Sequence, residues 1–209
     1  MAGTARQTSN GGEGSSKRDE VLAIACEYFL SHGYHGASVN AMARESGISK
    51  ESIYRYFHGK EDLFKAVIGH ELEQYQTRLH KVNSFAAHHD LEEALLAFAE
   101  QMVLSLASDR TLALRRLIFH EATTSPEVGR HYFSIGPGLA YTTLQAVFET
   151  HRGRTTFEPE DLARYFIAML LQPLFLEREC GMRKPPRTAA ARAYARRVVG
   201  DFLRAFFRK

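Results

Sequence analysis

Between positions 50 and 60 the sequence collects side chains suited to gripping nucleic acid: Lys50, Glu51, Ser52, Arg55, Tyr56, His58 and Lys60. Lys50, Ser52, Arg55, Tyr56 and His58 carry donors that reach phosphates or base edges when they share one helix face. Lys60 begins a helix, and backbone N–H groups at a helix start form an anion site. Glu51 is the odd member. It either accepts from a cytosine amine or pairs with Arg55 one turn on. Catalytic chemistry is not legible. The ten histidines are dispersed, and no second histidine follows His120-Glu121 at four residues, so the zinc-protease motif is absent. There is no G-x-S-x-G and no phosphate-binding glycine loop. Cys26 and Cys180 are too few for a disulfide framework or zinc cluster. No enzyme, metal or cofactor is expected. A second set comprises Phe98, Met102, Phe119, His120, Tyr132, Phe133, Tyr141 and Phe148. It has the mix of an apolar effector pocket, with His120 and Tyr141 as its polar members. The same aromatic spacing also describes ordinary core.

Helices must position both sets. The spacing of Val21, Ile24, Ala25, Tyr28 and Phe29 predicts a helix from Lys17 to the His32-Gly33 break. Ser38 caps a short second helix closed by Gly47, and Ser49 caps a third from Lys50 to Phe57, with Ile53, Tyr54 and Phe57 as its inner face. A fourth runs 60–81, with Glu61 and Asp62 in its first turn, where the helix dipole favours acids. Further helices are expected over 91–107, 110–123, 126–151, 159–179 and 188–207. Gly136-Pro137-Gly138 should break or kink the third of these, and Pro173 the fourth. No alternating strand pattern appears, so the fold class is all-α. Residues 1–16 read as a disordered tail.

A helix, a tight turn and a helix within SVNAMARESGISKESIYRYF have the layout of a DNA-binding helix-turn-helix. From Val21 to Val67 the sequence resembles the TetR/AcrR family of regulators. The shared pattern includes Gly33, Ser38, Ala43, Gly47-Ile48-Ser49, Ile53-Tyr54, Phe57, Lys60-Glu61 and Leu63-Phe64. The resemblance implies that residues 50–57 enter the major groove and that Ser38, Tyr54, Tyr56 and Lys60 grip the backbone. Two positions depart from the pattern. Glu51 stands where a small residue is common, and Ala41 where an acid would complete a capping box. LRRLIFHEATTSPEVGRHYFSIGPG resembles the AefR-like subgroup's ligand domain, which implies that 159–179 and 188–207 form a four-helix dimer interface.

The expected organisation is therefore a DNA-binding domain over 17–81, with 60–81 linking it to an effector-binding and dimerisation domain over 82–209. The net charge of +3 is compatible with nucleic acid. Its distribution is informative. Residues 1–81 hold ten Lys+Arg against ten Asp+Glu, whereas residues 183–209 hold nine against one. DNA contact must then rest on local placement of charge. No apolar run is long enough to span a membrane, and the polar N-terminus lacks a signal peptide's apolar core. The function expected is a cytoplasmic, homodimeric repressor on a pseudo-palindromic double-stranded operator, released by a small hydrophobic effector. The competing reading is a helical interaction protein or enzyme that has lost DNA binding.

Overall fold

The structure is a computed structural model that describes residues 11–86, 90–105 and 108–207. Among these there are ten α-helices, one 3-10 turn at Arg152–Arg154 and no strand. No helix among the described residues is long and apolar enough to cross a membrane. The chain divides into two compact units, one ending at Glu71 and the other beginning at Leu72.

The first unit holds α1 (Gly11–Gly36), α2 (Val39–Ser46), α3 (Lys50–Tyr56) and the start of α4 (Lys60–Ala86). α1 begins at Gly11, so the last six residues of the segment expected to be a tail have helical backbone; residues 1–10 lie outside the described residues. Gly33 kinks α1 at φ 69°, as its glycine-specific conformation allows. The buried stripe of α1 is Val21, Leu22, Ala25, Cys26 and Phe29. Ile24 and Tyr28 sit at its edge, because Leu22 and Cys26 take the innermost line. Phe29 meets Phe64 of α4 edge-on, with ring centroids 4.9 Å apart. Both rings are buried, each worth about 2–3 kcal/mol relative to exposure. Met42, Ile53 and Phe57 complete this core.

The second unit continues α4 and adds α5 (Leu91–Ser105), α6 (Asp109–Ala122), α7 (Pro126–Ile135), α8 (Pro137–Glu149), α9 (Pro159–Glu179) and α10 (Thr188–Phe206). The stretch 126–151 is two helices, broken at Gly136 because Pro137 has no N–H to continue α7 and begins α8 instead. α9, in contrast, runs unbroken through Pro173. Pro173 lies on the exposed side, and the Tyr194 hydroxyl donates to the nearby Leu170 carbonyl at 2.8 Å. Solvent and this hydroxyl are available to the carbonyls that the proline disturbs, which lowers the cost of keeping it inside a helix. α8 and α10 pack on α9, and α10 also packs on α5. Phe98, Phe148, Phe166 and Phe202 interlock at their centre. Phe166 and Phe202 lie 4.9 Å apart, and Phe148 and Phe202 5.6 Å apart. α4 joins this core through Tyr75 and Leu79.

Candidate nucleic-acid interface

The interface is built around a short turn. Ser38 has extended backbone, and its hydroxyl accepts from the Ala41 N–H at 3.4 Å, capping α2. Gly47 ends α2 at φ 71°, a left-handed conformation that L side chains resist. Ile48 is buried and anchors the turn. Ser49 then caps α3, its hydroxyl accepting from the Ser52 N–H at 3.1 Å and sharing a hydrogen bond with the Ser52 hydroxyl at 2.8 Å. Ile53, 1 % exposed, fixes the inner face of α3.

That rotation leaves Lys50, Glu51, Tyr54 and Arg55 exposed together, with Ser52 and Tyr56 half-buried; Tyr54, expected inside with Ile53 and Phe57, lies outside because Ile53 and Phe57 take the inner line. The cations lie over aromatic rings. Lys50 Nζ is 5.6 Å from the Tyr54 ring centre, and the Arg55 guanidinium carbon is 5.7 Å from that of Tyr56. Each contact pre-orders a flexible side chain. Of the two partners open to Glu51 in the sequence, Arg55 is not taken: no Glu51–Arg55 ion pair exists among the described residues. His58 is exposed, and its backbone N–H donates to the Asp62 carboxylate at 2.8 Å. An acid thus already serves the start of α4. Lys60 Nζ donates to the Ala37 carbonyl at 2.9 Å and the His35 carbonyl at 3.4 Å, and lies 4.5 Å from the Tyr34 ring centre. It ties the start of α4 to the segment that leads into α2.

In the second unit, the eight residues of the expected pocket are not gathered in one place. Phe98, Met102 and Phe148 belong to the closed core. Phe119 and Phe133 are 53 % and 54 % exposed, and His120 is exposed. Tyr132 and Tyr141 are half-buried, Tyr132 beside Phe119 (5.9 Å) and Tyr141 beside Phe133 (6.3 Å). The sequence reading missed Tyr75 and Arg115, which lie near Tyr132. The Tyr75 hydroxyl, on α4, donates to the Gly136 carbonyl at 3.5 Å. Burial pushes its pKa well above the ordinary phenol range, and the neighbouring Tyr132 adds to the effect. Burial also raises that of Tyr132, against the pull of Arg115. Arg115 stacks 3.5 Å above the Phe175 ring and pairs with Glu179 at 2.7 Å. Thr143 was missed too. It is 1 % exposed, and its hydroxyl lacks a hydrogen-bond partner. Its place between Ala140 and Val147 on the apolar face of α8 was the available signal. Among the described residues no three His, Cys, Asp or Glu side chains gather as a metal site.

Residues 21–67 match the family of bacterial regulatory proteins described as tetR, and residues 93–208 match the AefR-like transcriptional repressor C-terminal domain. The fold is similar to that of a TetR-family transcriptional regulator from Mesorhizobium loti, at a TM-score of 0.80 and 26 % identity, over 97 % of this chain and 100 % of that one. It is also similar to the flavonoid-responsive regulator FrrA, at a TM-score of 0.76 and 27 % identity, over 93 % and 99 %. The transcriptional repressor ComR of Escherichia coli K12 is 28 % identical over 112 residues, 54 % of this chain. The match spans about half of ComR's length, 53 %.

Proposed function

The chain belongs to the TetR family of bacterial regulatory proteins, and from that premise we propose a homodimeric repressor that binds an operator and is released by a small-molecule effector. The observation that carries this reading is the open face of Lys50, Glu51, Tyr54 and Arg55 on a helix held by the Ser49 cap and buried Ile53. Two copies would present two such faces about 34–36 Å apart on a pseudo-palindromic duplex. Residues 17–81 hold DNA in this reading, through Ser38, Ser52, Tyr56, His58 and Lys60 as well as the open face. Residues 82–209 dimerise and take the effector. It works in the cytoplasm and is not an enzyme.

The effector is apolar and aromatic, with a hydroxyl or acid group. Tyr75, Tyr132 and Arg115, flanked by Phe119 and Phe175, suit such a molecule. The name of FrrA, flavonoid-responsive, lends support from a relative. An effector that favours dimers unable to seat both helices would lower operator occupancy by population shift. The test is a gel shift of the full chain on the intergenic DNA upstream of its own gene. One discrete complex is expected, dissolved by compounds that raise the melting temperature with concentration. Failure to retard that DNA better than an unrelated duplex overturns the reading.

A further inference from the structure

Glu51 is the acid on a surface otherwise made of donors and rings. We propose that it selects a cytosine in each half of the operator. The inference rests on the DNA-binding reading and adds the base to it. Glu51 is exposed in the first turn of α3. The cations that would most easily neutralise it point elsewhere: Lys50 lies over Tyr54, and Arg55 lies over Tyr56 rather than pairing with it. A carboxylate in that state is repelled by phosphates. Its favourable position in a DNA complex is against a base edge that offers a donor. Guanine and thymine present acceptors in the major groove, and adenine sets its N6 donor beside the N7 acceptor. Cytosine presents its N4 amine without an adjacent acceptor on the same base, so it is the partner a carboxylate discriminates for. The helix dipole also favours an acid in this turn. That effect explains why Glu51 is tolerated in the free protein, but it confers no base preference.

The experiment is selection from a randomised duplex library with the full-length wild type, Glu51→Ala and Glu51→Gln. The wild type is expected to enrich a symmetric motif with one cytosine per half-site dependent on Glu51. Glu51→Ala loses preference at that position alone. Glu51→Gln moves it to adenine, whose N6 and N7 a glutamine amide matches; neither a capping effect nor misfolding produces such a switch. Replacing that cytosine with N4-methylcytosine keeps base pairing but removes the free amine proton. It should weaken the wild type by about tenfold and leave Glu51→Ala unaffected. A motif that both variants leave unchanged overturns the inference alone. So does full wild-type affinity for DNA carrying N4-methylcytosine at every cytosine of the motif, a comparison that needs no variant. A wild type that enriches no motif overturns the DNA-binding reading and this inference with it.

Discussion

At Lys60 one ammonium has more than one task. Two of its three N–H groups serve the carbonyls of Ala37 and His35, which leaves one for a DNA phosphate. Lys60→Ala should therefore lower the stability of the first unit by about 1.5 kcal/mol. It should also reduce the slope of log affinity against log salt by about one unit. Melting curves and anisotropy titrations across a salt series measure the two effects separately, and an unchanged slope would remove Lys60 from the DNA contacts. Glu179 makes a prediction in pH. Partial burial pushes its pKa up, but hydrogen bonds from Arg116 and Arg115 outweigh this and hold it below the ordinary carboxylate range. A carboxylate lowered in the folded state stabilises above that range, and the contribution is lost as pH falls through it. Glu179→Gln should then melt below the wild type near pH 7, and the gap should close as pH falls below the ordinary carboxylate range. A gap that persists in acid would mean the charge is not what α6 and α9 share.

The helix-turn-helix turn depends on Gly47 at φ 71°. Gly47→Ala, with open space around the new methyl group, should cost about 1–2 kcal/mol through backbone strain alone. Chemical denaturation measures this, and a neutral result would mean that the turn relaxes. Local punctuation of this kind was legible in the sequence. Ser38, Gly47, Ser49 and Pro137 act on their own backbone and mark helix ends without tertiary help. Facts that depend on the fold were not legible. The innermost line of α1 passes through Leu22 and Cys26, and packing within the first unit decides that rotation. Pro173 was expected to break or kink α9; the helix does not break there, where a distant Tyr194 and an exposed face serve its carbonyls. The donor face of α3 could be read from periodicity only in part: Lys50 and Arg55 lie outside as expected, but Tyr54 turns outward rather than inward. The partners of Lys50, Arg55 and Lys60 could not be read, because they follow from rotamers and from residues far along the chain. The aromatic residues of the second unit separate for a related reason: ring content does not tell Phe98, inside, from Phe119 and Phe133, outside.

For the molecule as a whole, α9 presents a second apolar line beside its buried one. Tyr165 and Leu176 are 43 % and 58 % exposed, with half-buried Met169 between them. Exposed apolar lines of this kind mark interfaces. Leu176→Glu should raise the dimer dissociation constant by about tenfold or more, read by sedimentation equilibrium at micromolar concentration. A dimer as tight as the wild type would exclude this line from the interface. The pairing of α10 with α5 also sets an order for synthesis. The whole first unit has been synthesised once Glu71 leaves the ribosome, and N-terminal domains generally fold first. α5 must wait for the last helix, since Leu91–Ser105 packs against Thr188–Phe206. Until translation ends, the apolar faces of α5 and α9 have no α10 to cover them. A ribosome that stops short of Thr188 therefore releases a chain with a finished first unit and an open, aggregation-prone second one.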